Sequence, residues 1–443
     1  MKRFNPSIAV PLLAVVIVAA VLCIFTSPFE VVKPEIRPDT AIGPIGKQKT
    51  LVIHFTDNRS GLSHVDMALV QDDKSHTLAS LDFPEKGTLE KTVSVNIYPA
   101  DLKLHDGEAT VTVTASDHSL FRNTARLVEK VAIDTVPPQL SILSTAHNVQ
   151  AGGSGLAVFR VSKEVEKSGV QIGSDFFTGY PVVLGGKTTF LSYFPVPLSS
   201  EKGSLKMAVH VRDRGGNEVV SALPSHLKPK RFRRDNLDLS EQFLTQKMPE
   251  FQQSEPSLQG KTPVEIFTFV NEKMREENFK TIQAICQKTS PAPLWKGPFL
   301  RMKNAAPMAG FGDMRTYTYQ KRPVGHSIHL GVDLASTAHA PIEAANSGTV
   351  AFTGYLGIYG QAVIIDHGLG IFSLYAHMSE IKVKAGQPVA REEAIGLSGS
   401  TGLAGGDHLH FSMIVGGQFV DPVEWWDPHW IKDNVERKVS EES

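Results

Sequence analysis

The stretch GGDHLHFSMIVGG, residues 405–417, places two histidines on alternate positions of a segment that is otherwise apolar. In an extended strand, residues two apart point to the same face, so His408 and His410 lie side by side. Leu409 and Phe411 then point the other way, into a core. Two neutral imidazoles on one face are the beginning of a metal site or of an acid–base pair. A solvent-exposed face that carries two histidines is the alternative, and the pair alone does not decide between them.

The composition of the chain is ordinary for a folded protein, with 443 residues, 41% hydrophobic and 21% charged. That length suits about two to four domains. The formal net charge of −1 gives no global field that would attract nucleic acid, so we expect no nucleic-acid partner. Cys23 and Cys286 have no CxxC neighbour. Any metal ion must therefore be held by histidines and carboxylates.

The N-terminus carries an apolar run from Ile8 to Phe25, preceded by Lys2 and Arg3. Its length of about 18 residues is at the lower end of what spans a bilayer as a helix. The basic flank indicates that this end stays in the cytoplasm and that the rest is exported. A cleaved signal peptide is the alternative. The run continues past the possible cleavage site at 18–20, which favours an uncleaved anchor.

Residues 48–225 contain short runs rich in Val, Ile and Thr, separated by turn residues, which predicts antiparallel β-sandwiches. Pro137 and Pro138 mark a junction between two such modules. The segments TVTVTASDHSLFRN (110–123) and KMAVHVRDRGGN (206–217) both lead from an alternating strand through Asp to a turn that closes on Asn, a weak internal repeat. Both modules resemble bacterial immunoglobulin-like domains. Neither carries a catalytic constellation, so we expect a stalk or a surface for an envelope protein partner.

A helix is predicted to begin at Thr262, where Thr262, Pro263 and Glu265 form a capping-box signature. The basic run at 228–234 that precedes it is interpreted as a solvated linker. One apolar face is expected to pack on the next domain, and it consists of Ile266, Phe269, Val270, Ile282 and Ile285.

The last third of the chain delivers four histidines and one aspartate from three separate segments. HSIHLGVDLAS places His329 four residues before Asp333, and SLYAHMS supplies His377. DHLHF supplies His408 and His410. Each of these residues stands beside apolar neighbours that would root it in a sheet.

Together these segments resemble the lysostaphin-type zinc endopeptidases, the LytM family, which cut peptidoglycan peptides. The resemblance covers roughly residues 295–425 and is specific, because it includes an ordered set of flanking motifs beside HxxxD and HxH. These motifs are FGDMR (311–315), HLGVDLA (329–335), PIEAANSGTV (341–350), LYAHM (374–378), VKAGQPV (383–389), IGLSGSTG (395–402), HLHF (408–411) and VDP (420–422).

The resemblance implies that His329, Asp333 and His410 bind one Zn²⁺ per chain. Three protein ligands on zinc leave a fourth position for water. His377 and His408 would stand beside that position, where either can act as general base or hydrogen-bond the oxyanion. The sequence does not assign those two roles. All five positions are filled, unlike in family members that have lost zinc ligands and act as non-catalytic activators of cell-wall amidases.

No catalytic or metal-binding role is expected for five other nearby residues. His326 and His339 are expected on the surface, and His367 is expected to be structural or to line a groove. Tyr355 and Tyr375 can line the cleft, but an aromatic residue in a strand is more often core.

Three features depart from the family pattern: Asp407 and Ser412 flank the HLHF motif, and a long loop follows Arg315. In some relatives an upstream asparagine or a preceding segment blocks the site. Asn304 and residues 234–290 are the candidates for that role in this chain.

The sequence thus predicts a mainly β chain with an N-terminal transmembrane helix, two antiparallel β-sandwich modules, a short helical linker and a C-terminal antiparallel β metallopeptidase domain with a substrate groove. The predicted boundaries are 1–30 for the anchor, 31–136 and 137–227 for the sandwich modules, 228–291 for the linker, 292–430 for the zinc endopeptidase domain and 431–443 for a flexible tail.

The predicted function is zinc-dependent hydrolysis of peptide bonds in peptidoglycan stem peptides or cross-bridges, for cell-wall remodelling. The predicted location is the bacterial inner membrane, with a single span and the C-terminal domains in the periplasm or cell envelope. Two alternatives stay open: a non-catalytic activator of cell-wall amidases, and a zinc peptidase that acts on envelope proteins.

Overall fold

The structure is a computed structural model that describes residues 30–144, 147–201 and 205–440. The anchor predicted over residues 1–30 lies, apart from its final residue, outside them. None of the helices in the described ranges combines the length and the apolar character that crossing a bilayer requires. The chain divides into two compact units, one with the described residues up to Pro138 plus 163–166 and 212–219, the other with 139–162, 167–211 and 220 onward.

The first unit is built from two antiparallel sheets, in the orders β1-β2-β5 and β4-β3-β6-β7. Its strands are β1 (Glu35–Pro38), β2 (Lys49–Thr56), β3 (Leu62–Gln71), β4 (Lys74–Asp82), β5 (Glu90–Ile97), β6 (Gly107–Asp117) and β7 (Thr124–Ile133). Along β6, Val111 and Val113 are fully buried while the intervening threonines are half-buried. One apolar core takes side chains from both sheets, among them Phe55 and Met67. The predicted two-sheet architecture is therefore present, and its immunoglobulin-like character stays a prediction.

The strands between residues 139 and 238 form two further four-stranded sheets, in the orders β13-β14-β10-β8 and β12-β11-β15-β16, and a parallel pair of β9 with β17. Their bounds are β8 (Leu140–Ile142), β9 (Asn148–Gln150), β10 (Ser154–Val161), β11 (Val165–Ile172), β12 (Asp175–Thr178), β13 (Tyr180–Leu184), β14 (Lys187–Pro195), β15 (Met207–Asp213), β16 (Glu218–Ala222), β17 (His226–Lys228) and β18 (Arg234–Asp238). Leu156 and Tyr193 pack in the same core as the C-terminal domain.

Three helices follow β18: α1 (Glu241–Ser254), α2 (Pro263–Phe269) and α3 (Arg275–Ile285). The predicted capping box at the start of α2 is present, with Thr262 and Glu265 each bonding the backbone amide of the other. The sequence predicts one continuous helix here, whereas a π-helical turn over Val270–Met274 separates α2 from α3. The apolar face of these helices is buried in the core of the second unit, as expected.

The C-terminal domain is β-rich, as predicted. Its strands are β19 (Ala306–Ala309), β20 (Met314–Tyr319), β21 (Arg322–Ile328), β22 (Val332–Ala335), β23 (Pro341–Glu343), β24 (Gly348–Tyr355), β25 (Gln361–Gly368), β26 (Ile371–Met378), β27 (Glu380–Ile381), β28 (Pro388–Val389), β29 (Ala394–Leu397), β30 (Leu409–Val415) and β31 (Gln418–Val420). The main sheet runs β19-β22-β30-β26-β25-β24-β28, and β31 pairs with β30. Every residue of β26 and β30 is buried, so the strands that carry the predicted site are held from both faces.

The segment predicted as a helical linker is joined to this domain by backbone pairing, because β18 lies parallel to β20. The segment predicted as a flexible tail is helical as far as Ser440. The helices at this end of the chain are α4 (Pro422–Trp426) and α5 (Pro428–Ile431), which precede the predicted tail except for Ile431, and α6 (Arg437–Ser440), which lies within it. Ile431 and Val435 are buried, and that burial holds the segment in place.

Candidate metal centre

Three predicted side chains converge between β22 and β30. The antiparallel register sets Asp333 directly opposite His410, so both side chains leave the same face of the sheet. Asp333 Oδ1 lies 2.9 Å from His329 Nε2 and 2.8 Å from His410 Nδ1. The two imidazole nitrogens are 3.0 Å apart. All three residues are buried, and together they could hold a metal ion.

The outer nitrogen of each histidine in this triad has a partner that orients the ring. His329 Nδ1 lies 2.8 Å from the carbonyl of Gly310, which can only accept, so Nδ1 carries the proton and Nε2 keeps its lone pair. His410 Nε2 lies 3.0 Å from the hydroxyl of Ser412, which is fully buried two residues along the same strand. When this hydroxyl accepts, the lone pair of His410 is on Nδ1, toward Asp333. Partners of this kind fix the tautomer of a metal-binding histidine.

Charge in the triad is set by burial and by the histidines that surround the carboxylate. Burial favours the neutral form of Asp333, but the close contacts of its carboxylate with His329, His408 and His410 outweigh burial and hold its pKa well below the usual range. Burial lowers the pKa of His410 to about 4, so its imidazole is neutral at pH 7. The second oxygen of Asp333 lies 3.4 Å from Arg315 Nη2. The donor set is thus two neutral imidazoles and one carboxylate.

That donor set fits a zinc ion. Neutral imidazole nitrogen and carboxylate oxygen are common zinc ligands in catalytic sites. Tetrahedral zinc with bonds of about 2.0–2.1 Å separates its ligand atoms by about 3.3 Å, so the triad has to open by only a few tenths of an ångström. His329 Nε2 and Asp333 Oδ1 both direct lone pairs at the same small space, and a cation is the group that such an arrangement accommodates best.

The second pair of predicted residues, His377 and His408, lies beside the triad with ring centroids 4.8 Å apart. His377 Nδ1 donates to the carbonyl of Thr401 and His408 Nδ1 to that of Gly406, each over 2.8 Å. Both rings therefore keep their lone pair on Nε2. Burial, and after it the neighbouring histidines, hold the pKa of His377 well below its ordinary value. Burial also lowers that of His408, but the nearby Asp333 outweighs it and raises the pKa.

The loop that orients His377 is held by α1. Glu250 on α1 accepts a hydrogen bond of 2.7 Å from the amide of Gly402, next to the carbonyl that binds the His377 ring. Lys247 of the same helix donates to the carbonyl of Ser400 over 2.5 Å. The helical segment thus supports the site.

A cavity of about 360 Å³ opens over all five predicted residues. One wall comes from the segment before the C-terminal domain and includes Leu239, Phe243 and Arg275. Another includes Tyr359, whose ring centroid lies 5.6 Å from that of His410. Residues of the 234–290 segment thus line the cavity, and the blocking role proposed for this segment stays a prediction. Asn304, the other candidate for a blocking role, lines a different cavity.

The residues for which no catalytic or metal-binding role is expected lie away from the triad. His326 is exposed on β21, 3.2 Å from the hydroxyl of Thr316, and His339 is exposed. His367 is fully buried in the core and bonds Ser347 and Ser373, so it is structural and lines no groove. Tyr375 is buried core and Tyr355 is partly exposed outside the cavity.

The comparisons with known proteins point to the same part of the chain. Residues 327–422 match the sequence profile of Peptidase family M23. DD-carboxypeptidase/endopeptidase Mpg of Neisseria meningitidis is 39% identical over 109 residues, which is 24% of this chain and 25% of that protein. Peptidoglycan DD-endopeptidase ShyA of Vibrio cholerae is 36% identical over 116 residues, which is 26% of each chain. The chain therefore matches only about a quarter of the length of these curated relatives.

A solved structure, the catalytic domain of lysostaphin from Staphylococcus simulans, is 28% identical and covers 28% of this chain and 92% of that chain, with a TM-score of 0.24. The family match and the relatives support the resemblance to lysostaphin-type enzymes. The C-terminal domain thus contains the region, residues 327–422, that is similar to Peptidase family M23.

Proposed function

We propose that this protein is a zinc-dependent endopeptidase that hydrolyses peptide bonds in peptidoglycan stem peptides or cross-bridges. The observation that carries the proposal is the convergence of His329, Asp333 and His410, with His377 and His408 at the same cavity. Relatives named as peptidoglycan endopeptidases support the substrate class.

The five residues of the site have two roles, which are metal binding and proton transfer. His329, Asp333 and His410 would hold one zinc ion. Bound zinc supplies Lewis acidity, which lowers the pKa of a water molecule and polarises a carbonyl. His377 or His408 accepts the proton of the attacking water on Nε2 and passes it to the leaving amine. The other ring of the pair, when it carries a proton on Nε2, donates a hydrogen bond to the oxyanion.

Two arginines in the cavity suit a substrate that bears carboxylates. Arg275 donates to Asn271 Oδ1 over 3.1 Å and lines the cavity that the triad residues also line. Arg315 lines the same cavity beside Asp333. Guanidinium groups bind carboxylates through paired hydrogen bonds, and peptidoglycan stem peptides carry such groups.

The experiment is digestion of purified peptidoglycan by the full-length protein, with mass analysis of the released muropeptides. Wild type releases fragments with newly cut peptide bonds, and both chelation and His410→Ala abolish the release, because losing one of three ligands weakens metal binding and disables the site. His326→Ala is the matched control and keeps full activity, since the His326 side chain is exposed and its ring lies 3.2 Å from the hydroxyl of Thr316. A His410→Ala protein as active as wild type contradicts the proposal. Cleavage of envelope proteins alone, or stimulation of an amidase alone, would favour one of the two alternatives.

The cellular location is part of the same proposal. We propose a single span over residues 8–25, retention in the inner membrane and export of the rest, with the β-sandwich modules as a stalk or as a surface for an envelope protein. The support is the sequence alone, with basic residues ahead of the apolar run. Extraction of bacterial membranes tests it: the protein stays in the membrane pellet at high salt and high pH, and a chain that begins after residue 30 is released.

A further inference from the structure

Three carboxylates meet in the first unit, far along the chain from the peptidase triad. Glu30 precedes β1, Asp57 follows β2 and Asp117 ends β6. One oxygen of each lies within 4.8 Å of the other two. The exposed fractions of the three residues are 1%, 4% and 0%. Buried carboxylates at this spacing repel one another strongly unless a positive charge or protons compensate.

The hydrogen bonds that hold these carboxylates come from neutral groups. The amide of Ser60 donates to Glu30 Oε2 over 3.0 Å, and the amide of Gly61 donates to Asp57 Oδ1 over 2.8 Å. Such bonds orient the oxygens but leave the charge in place. Burial raises the pKa of Glu30, and Asp57 and Asp117 raise it further.

A fourth oxygen at this cluster has no partner. Ser60 is 3% exposed, and within the described part of the chain its Oγ makes no hydrogen bond. The backbone amide of the same residue donates to Glu30, so Ser60 contacts this cluster through its main chain. An unsatisfied buried hydroxyl is costly, and a cation that accepts its lone pair removes the cost.

The weak internal repeat supplies a second copy of this arrangement within the first unit. Asn123 donates from its backbone amide to Asp117 Oδ1 over 2.9 Å and from its side chain to the carbonyl of Glu30 over 2.9 Å. Asn217 does the same with Asp213 Oδ1, over 2.9 Å, and with the carbonyl of Asp134, over 2.7 Å. Glu30 and Asp134 therefore occupy equivalent places.

The two copies differ in their central charge. In the second copy the ammonium of Lys163 lies 2.7 Å from Asp213 and 2.8 Å from Asp134. Lys163 stands shortly after β10, and the corresponding position after β2 in the first copy is taken by Asp57. A third carboxylate thus stands where the second copy has its own cation.

We propose that Glu30, Asp57 and Asp117 bind a divalent cation, and that this cation is Ca²⁺. All donors are oxygens, which suits a hard cation and not zinc. Ca²⁺ bonds of about 2.3–2.6 Å allow ligand oxygens to lie up to about 5 Å apart, and these oxygens lie within 4.8 Å of one another. The Ser60 hydroxyl is available as a further ligand. The cation ties the chain at Glu30 to the ends of β2 and β6.

Calorimetric titration of the chelator-treated full-length protein tests the site. We expect one Ca²⁺ per chain and weaker binding of Mg²⁺, because Mg²⁺ demands a tighter octahedron and keeps its waters. Asp57→Asn and Glu30→Gln each weaken Ca²⁺ binding by more than about tenfold. Asp101→Asn, on the exposed surface of the same unit, and His410→Ala in the peptidase triad leave it unchanged. The proposal is overturned if the wild-type protein binds no Ca²⁺ at about 10 mM. It is also overturned if Asp57→Asn and Glu30→Gln bind Ca²⁺ as tightly as wild type does.

Asp57→Lys distinguishes the possibilities best, because it introduces an ammonium group at the position where the second copy has Lys163. This variant is expected to bind no Ca²⁺ and to be at least as stable without Ca²⁺ as the cation-free wild type. Saturating Ca²⁺ at about one hundred times Kd raises the Tm of the first unit by about 10 °C in wild type and not in this variant. An equal Ca²⁺-induced rise in both proteins would contradict the assignment.

Discussion

Removing the Ser412 hydroxyl isolates the part of the metal centre that lies outside the three ligands. Ser412 is fully buried, and its Oγ lies 3.0 Å from His410 Nε2. In Ser412→Ala the proton on Nε2 has no acceptor, and a buried unsatisfied donor costs about 1–3 kcal/mol. The ring also loses the contact that keeps Nδ1 toward Asp333. Loss of such an outer partner typically lowers metal affinity about 10–100-fold, which is about 1.4–2.8 kcal/mol.

The assay is competition for Zn²⁺ between the full-length protein and a chelator of known affinity. Ser373→Ala is the matched control, because Ser373 is also fully buried, on the neighbouring strand β26, and bonds a different histidine, His367, over 2.7 Å. We expect the two variants to lose similar thermal stability, while only Ser412→Ala loses zinc affinity. Zinc affinity of Ser412→Ala within twofold of wild type would refute the reasoning, as would an equal loss in Ser373→Ala.

Two further predictions concern the packing of the C-terminal domain. A methyl group at Gly331 would lie 2.6 Å from ring atoms of His410, so Gly331→Ala displaces that ring and weakens zinc binding by more than about tenfold. Gly405→Ala is the control and leaves the zinc affinity unchanged, because a methyl group there meets no atom within 4 Å. Unchanged zinc affinity in Gly331→Ala would show that the His410 ring is free to move. Burial raises the pKa of Glu424 from its ordinary 4.5 to about 7, although hydrogen bonds from Ser154 act in the opposite direction. Ionised Glu424 therefore destabilises the fold at pH 8. This destabilisation decreases as the pH falls below about 7 and is absent below 4.5. Glu424→Gln is therefore expected to raise the free energy of unfolding by up to about 3 kcal/mol at pH 8 and by nothing at pH 4, and a pH-independent effect in denaturant titrations would contradict this.

Much of the fold could be predicted because local patterns and tertiary packing agree. The alternation in β6 and the capping box at Thr262 are local signals, and the chain obeys both. The π-helical turn at 270–274 has no such signal, since it depends on how Val270 and Met274 pack in the core. The helical C-terminus was unpredictable for a similar reason. Its sequence is polar, and the burial of Ile431 and Val435 against residues distant in the sequence helps to hold it.

The site divides in the same way. His329 and Asp333 are close in sequence, and His408 and His410 are close on one strand, so a motif can bring them to notice. Ser412 departs from the family pattern, and its position two residues after His410 places it on the same strand face.

Arg275 and Tyr359 lie in segments without a motif and reach the cavity only through the packing of α3 and the loop before β25. Nothing in the local sequence of either residue carries that information. In the second unit, tertiary packing decides which residues surround the triad, and no short stretch of sequence does.

The most direct test of the central claim is zinc K-edge X-ray absorption of the full-length protein loaded with one equivalent of Zn²⁺. The account predicts two imidazole nitrogens at about 2.0–2.1 Å and oxygen ligands at similar distances, with no sulfur. The same spectrum for His410→Ala should lose one imidazole. A thiolate signal from Cys286, or a first shell that is identical in wild type and in His410→Ala, would contradict the claim that His329, Asp333 and His410 hold the metal.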